Sequence, residues 1–134
     1  MDEKQWLVLI VEDDADVREV LQVVLKLKYG CQVSVVNDGA AAVECARRDK
    51  PDLILMDLVL PQMSGFEATR ALLADPATWE IPVVAISDHS WEESVHRQAI
   101  EAGCRACINK ADLFGDLHKT IHKIMSEYVR DVSH

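Results

Sequence analysis

Five short, mainly apolar runs, separated by stretches with helical spacing, constrain this chain more than any other feature. The runs fall at residues 7–11, 33–36, 53–56 and 83–86, with a weaker one at 106–108. Apolar runs without polar alternation fit strands buried on both faces, as in a parallel sheet covered by helices.

The intervening segments carry helix signals. The first helix is expected over 15–28: Val17, Val20, Leu21, Val24 and Leu25 share one face, while Arg18, Glu19, Gln22 and Lys26 take the other. Tyr29-Gly30 ends it, because glycine tolerates the left-handed cap. The second, over 39–48, stops before Pro51. The third opens with Ser64-x-x-Glu67 and ends before Pro76; the fourth opens with Ser90-x-x-Glu93 and stops at Gly103. Both openings read as capping boxes, in which side chains satisfy backbone N–H groups left over at a helix start. The fifth helix carries Leu113, Leu117, Ile121, Ile124 and Tyr128 on one stripe. Residues 75–80 make the one longish loop, and Trp79 is expected to cover it. Right-handed crossovers then predict a three-layer, doubly wound (βα)5 α/β sandwich with a parallel five-stranded sheet in the order 2-1-3-4-5. The 134 residues suffice for a single domain, with its core at about 7–128.

Ligands of open α/β sheets bind beyond the carboxyl ends of the strands. Strand one ends at Glu12-Asp13, strand three at Asp57, strand four at Ser87 and strand five at Asn109-Lys110. In the expected order these strands are consecutive neighbours, so three carboxylates, one hydroxyl and one ammonium converge. Clustered carboxylates repel each other, and desolvation makes this worse. A hard cation such as magnesium relieves the repulsion with all-oxygen ligation. Lys110 supplies a point charge for a phosphate, and Ser87 a hydrogen bond. Asp57, in the middle, is the natural nucleophile for an acyl phosphate. The plainer alternative makes each residue a loop charge or a cap, with Asp13 or Asp14 capping the first helix.

The matching stretches are Val8-Leu9-Ile10-Val11-Glu12-Asp13-Asp14 with Arg18; Asp52-Leu53-Ile54-Leu55-Met56-Asp57 with Leu60-Pro61 and Ser64-Gly65; Ile81-Pro82-Val83-Val84-Ala85-Ile86-Ser87; and Ala102-Gly103 with Lys110. In these the chain resembles the receiver domains of two-component response regulators, which share the flavodoxin-like fold, and the resemblance runs from about Leu7 to Tyr128. It implies that Glu12, Asp13, Asp57 and the backbone carbonyl of Val59 hold magnesium. It implies that Asp57 accepts phosphate from a sensor histidine kinase, a histidine phosphotransfer protein or a small phosphodonor. Lys110 pairs with the phosphoryl group and Ser87 reports its arrival. Such a protein catalyses only its own phosphorylation and dephosphorylation, and acts by changing its binding to a downstream protein target, as a monomer or weak dimer.

Some positions depart from the family pattern. Cys107 stands where an aromatic is usual, and Ala111 where proline usually follows the lysine, so a trans Lys110–Ala111 bond and a rearranged loop are expected. Asp88 replaces a small residue, and Val59 and His89 occupy positions that tune dephosphorylation in the family. Cys107 and Ala111 favour the competing reading of a degenerate receiver, a scaffold that binds partners without phosphorylation. A separate hydrolytic or phosphoryl-transfer enzyme lacks support, because no glycine-rich phosphate loop is present.

A formal charge of −9 argues against direct nucleic-acid binding, which rests on lysine and arginine. No apolar run is long enough to span a bilayer, and the charged start is unlike a secretion signal, so a cytoplasmic setting is expected. Cys31, Cys45, Cys104 and Cys107 read as reduced structural residues, since the Cys104-x-x-Cys107 pair has no second ligand pair. His118 and His122 have a spacing that can bind metal, but beside Lys119 and Lys123 they read as a solvated helix face. Trp91 reads as an exposed or half-buried residue opening the fourth helix.

Overall fold

Strands and helices alternate along the chain in the computed structural model, which describes residues 5–88 and 92–132. They are β1 (Leu7–Val11), α1 (Ala15–Tyr29), β2 (Gln32–Val36), α2 (Gly39–Asp49), β3 (Leu53–Asp57), α3 (Gly65–Ala74), β4 (Val83–Ser87), α4 (Glu93–Ala102), β5 (Ala106–Asn109) and α5 (Leu113–Val132), with a 3-10 turn at Lys110–Asp112 before α5. The strands form one parallel sheet in the order β2-β1-β3-β4-β5, as the periodicity predicts.

Successive strand side chains point to opposite faces, and this divides the core in two. Val8, Ile10, Leu53, Leu55, Val84, Ile86 and Ile108 meet Leu21 and Leu25 of α1 and Leu117, Ile121 and Ile124 of α5. Leu9, Val11, Ile54, Met56, Val83 and Ala85 meet Ala42, Cys45 and Ala46 of α2, Ala68 and Leu72 of α3, and Ala99 of α4. Each large side chain so buried contributes about 1.5–3 kcal/mol. The small residues on the second face let α2, α3 and α4 lie close against the sheet.

The helix ends follow their local chemistry, with one exception. Asp14 caps α1 by accepting from the N–H groups of Asp16 and Val17, and Gly30 ends it at φ 65°. Asp38 caps α2, and Ser64 caps α3 by accepting from Glu67 N–H. The capping box expected at Ser90 lies outside the described residues. Helix α4 starts at Glu93, its N-cap is Glu92, and no side chain caps it. Ala99 and Ala102 of this helix face inward and are buried. His89, Ser90 and Trp91 lie outside the described residues, as does the side chain of Tyr128.

Residues 75–80 form a turn pinned by the buried Thr78, whose hydroxyl donates to Leu72 O at 2.7 Å. Trp79 does not close over this turn: it is 53% exposed. With Trp6, Pro51 and Pro82 it lines a cleft of about 740 Å³ at the amino ends of the strands. The four cysteines are unbridged; three are buried and Cys107 is half-buried. Burial pushes the Cys104 thiol up, and burial with the neighbouring Cys104 pushes Cys107 up to about 11. Both are therefore thiols at neutral pH, in keeping with a structural role. No described helix is long and apolar enough to cross a membrane.

Candidate functional site at the carboxyl rim

Strand register brings the predicted residues to one level. Asp57 sits opposite Ile86, and Ser87 opposite Asn109, so β3, β4 and β5 end together. On the other side Val11 pairs with Met56, which leaves Glu12 one step beyond β1 and beside Asp57. Glu12 is anchored there by its N–H, which donates to Val36 O at 3.1 Å.

Lys110 ties the rim together. Its Nζ donates to Glu12 Oε1 at 3.2 Å and to Asp57 Oδ2 at 3.3 Å. It also lies 3.1 Å from Glu12 Oε2, but at an angle that makes no hydrogen bond, so this buried oxygen has no hydrogen-bond partner. Glu12 is fully buried, Asp57 is 2% exposed, and Asp13 stands exposed at the rim. Carboxylate oxygens of Glu12, Asp13 and Asp57 lie within 4.8 Å of one another. The capping role belongs to Asp14, which leaves Asp13 facing this cluster.

The electrostatics show the strain of this grouping. Burial, helped by the adjacent Asp57 carboxylate, pushes the Glu12 carboxyl up to about 7. Burial draws the Lys110 ammonium down, but the Asp57 and Glu12 carboxylates outweigh it and raise it overall. Three carboxylates cluster where Lys110 pairs with two of them, and one buried Glu12 oxygen has no hydrogen-bond partner. That donor set, all oxygen and short of positive charge, fits a hard divalent cation.

Ser87 is buried at the end of β4, on the strand beside Asp57. Val59, 70% exposed, donates its N–H to Asp57 Oδ1 at 3.1 Å, and Asp88 is exposed. Cys107 sits on β5 in register with Ala85. No cis peptide occurs among the described residues, so Lys110–Ala111 is trans as expected. Lys110–Asp112 form a 3-10 turn, in which Asn109 Oδ1 accepts from Ala111 N–H at 2.9 Å.

Several supporting residues escaped sequence reasoning. Arg18 Nη1 donates to Glu12 O at 3.4 Å, bracing the rim from α1. Leu58 N–H donates to Ile86 O at 3.2 Å, and Leu58 O accepts from Gly65 N–H at 3.1 Å, so α3 starts directly against the end of β3. Gly65 was visible only as part of a Ser-Gly pair; the close approach it permits belongs to the fold.

The pattern that defines the response regulator receiver domain matches residues 8–122. Protein PilH of Pseudomonas aeruginosa is 34% identical over 119 residues, covering 89% of this chain and 97% of PilH. The DNA-binding response regulator MtrA of Mycobacterium bovis is 38% identical over 87 residues, covering 65% of this chain but 36% of MtrA. The receiver domain of the sensor histidine kinase PA1611 from Pseudomonas aeruginosa PAO1, solved with magnesium in its active-site cleft, superposes with a TM-score of 0.82 at 27% identity. That match covers 92% of this chain and 99% of the solved domain.

Proposed function

The chain belongs to the response regulator receiver family, and from that premise we propose that it is a phosphoacceptor switch acting through Asp57. A carboxylate oxygen of Asp57 attacks the phosphorus of a phosphohistidine on a sensor histidine kinase or histidine phosphotransfer protein. The P–N bond breaks, the imidazole leaves with a proton, and an aspartyl phosphate remains. The observation that carries this reading is Lys110 Nζ bridging Glu12 and Asp57 beside Asp13.

Phosphoryl transfer needs positioning and charge neutralisation more than covalent chemistry. The Val59 N–H and the Lys110 ammonium fix the two oxygens of Asp57. Lys110 is placed to neutralise the incoming phosphoryl oxygens once it is drawn off Glu12. Glu12, Asp13, Asp57 and the Val59 carbonyl would hold magnesium, which would supply the remaining positive charge; the similar PA1611 receiver was solved with that ion. The Ser87 hydroxyl, one strand over, takes a phosphoryl oxygen and shifts the balance between two conformations. The output is altered affinity for a protein target in the cytoplasm, and the only chemistry catalysed is self-phosphorylation and self-dephosphorylation.

The half-buried Cys107 and the 3-10 turn at Ala111 favour a second reading, a scaffold whose binding does not depend on phosphate. Incubation with magnesium and acetyl phosphate or phosphoramidate, followed by intact mass, separates the two. A one-phosphoryl adduct on the parent and none on Asp57→Ala supports the switch. No adduct on either supports the scaffold.

A further inference from the structure

A second group of metal-capable side chains lies away from the acidic rim. His118 and His122 stand one turn apart on α5, both exposed, with ring centroids 6.1 Å apart and planes at 86°. Tyr29, the last residue of α1, brings its hydroxyl into hydrogen-bond contact with His118 Nδ1, and the two ring centroids are 5.9 Å apart. The sequence alone offers a solvated pair beside two lysines. The fold adds a third residue, 89 positions away, that engages one imidazole and fixes its direction.

That addition changes the chemistry. Imidazoles four residues apart on a helix can reach a single ion, as in helix-borne zinc sites. A metal-bound imidazole characteristically has its other nitrogen held by a hydrogen-bond partner, which fixes the tautomer and aims the ring. The contact admits either direction; in the tautomer whose Nδ1–H donates to the Tyr29 oxygen, the one metal binding would select, the Nε2 lone pair of His118 is left for a ligand. We propose that His118 and His122 bind one divalent transition-metal ion, with Tyr29 as the residue that positions His118. Imidazole donors suit zinc, nickel and copper rather than magnesium, so this site and the carboxylate rim select different ions. Two protein nitrogens leave further coordination positions open to water.

The test is a calorimetric titration of nickel chloride into the full chain, already saturated with magnesium. One nickel per chain is expected. His118→Gln and His122→Gln keep size and polarity at exposed positions, and each should weaken binding by at least about tenfold; Tyr29→Phe should weaken it by about tenfold. His96→Gln, an exposed histidine on α4, should leave it unchanged. With one equivalent of copper, nitrogen couplings from two imidazoles should fall to one in either glutamine variant. No binding by the parent, or binding that survives both glutamine substitutions, overturns the site. Unchanged affinity in Tyr29→Phe removes the positioning role. None of these outcomes bears on phosphorylation at Asp57.

Discussion

A β-carbon on Gly65 would stand 2.3 Å from the carbonyl oxygen of Asp57 and 2.7 Å from the Cα of Leu58. Both atoms are backbone, held by the Leu58–Ile86 and Gly65–Leu58 hydrogen bonds, so neither can yield cheaply. Alanine is the better helix former, by up to about 1 kcal/mol, but overpacking of a rigid site costs about 1–3 kcal/mol. Gly65→Ala is therefore expected to lower stability in urea denaturation and to slow acetyl-phosphate labelling, because α3 can only move by dragging Asp57. Unchanged stability and labelling would refute this account.

The Glu12 carboxyl makes the metal-free protein sensitive to pH. Its ordinary value is 4.5 and its folded value about 7, so the folded state holds the proton more tightly. The associated stabilisation is complete below pH 4.5 and is lost as pH rises through about 7. The amount is on the order of 1–3 kcal/mol. Melting temperatures in a chelator should fall across that window, and magnesium should flatten the decline by binding the ionised form. A chelated protein whose melting temperature is flat or rising there contradicts this.

Removing Lys110 takes away the ammonium paired with both Glu12 and Asp57. Breaking a buried ion pair costs about 3–5 kcal/mol. Lys110→Ala should fall near the low end, since Glu12 can take up a proton. Guanidinium unfolding with and without magnesium checks this: most of the loss should be recovered when the ion is present. A loss that magnesium leaves untouched would mean that Lys110 stabilises by packing.

Restoring the family's proline should do harm here. Ala111 N–H donates to Asn109 Oδ1, which holds the 3-10 turn after Lys110. Proline has no N–H, so Ala111→Pro forfeits about 0.5–1.5 kcal/mol. Asn109→Ala should cost a similar amount by removing the acceptor, and the double variant no more than either alone. Additive losses in thermal denaturation would show the two residues to be uncoupled.

Much of this molecule was legible because parallel strands impose strong rules. Short apolar runs mark the strands to within a residue or two, and placing their carboxyl ends on one rim is enough to gather Glu12, Asp57, Ser87 and Lys110. What escaped depends on contacts between distant segments. The need for glycine at 65 arises only when α3 meets β3. Tyr29 and His118 meet because α1 and α5 cover the same face, which follows from strand order but not from either segment alone.

Strand β3 is buried along its whole length and paired on both sides, by β1 and by β4. Asp57 thus rides on a fully buried inner rail, with little room to slide or tilt under the phosphorylation proposed above. Any accommodation has to be made by the softer connections around it, so the shape a partner perceives is set by how those connections re-form about a fixed post.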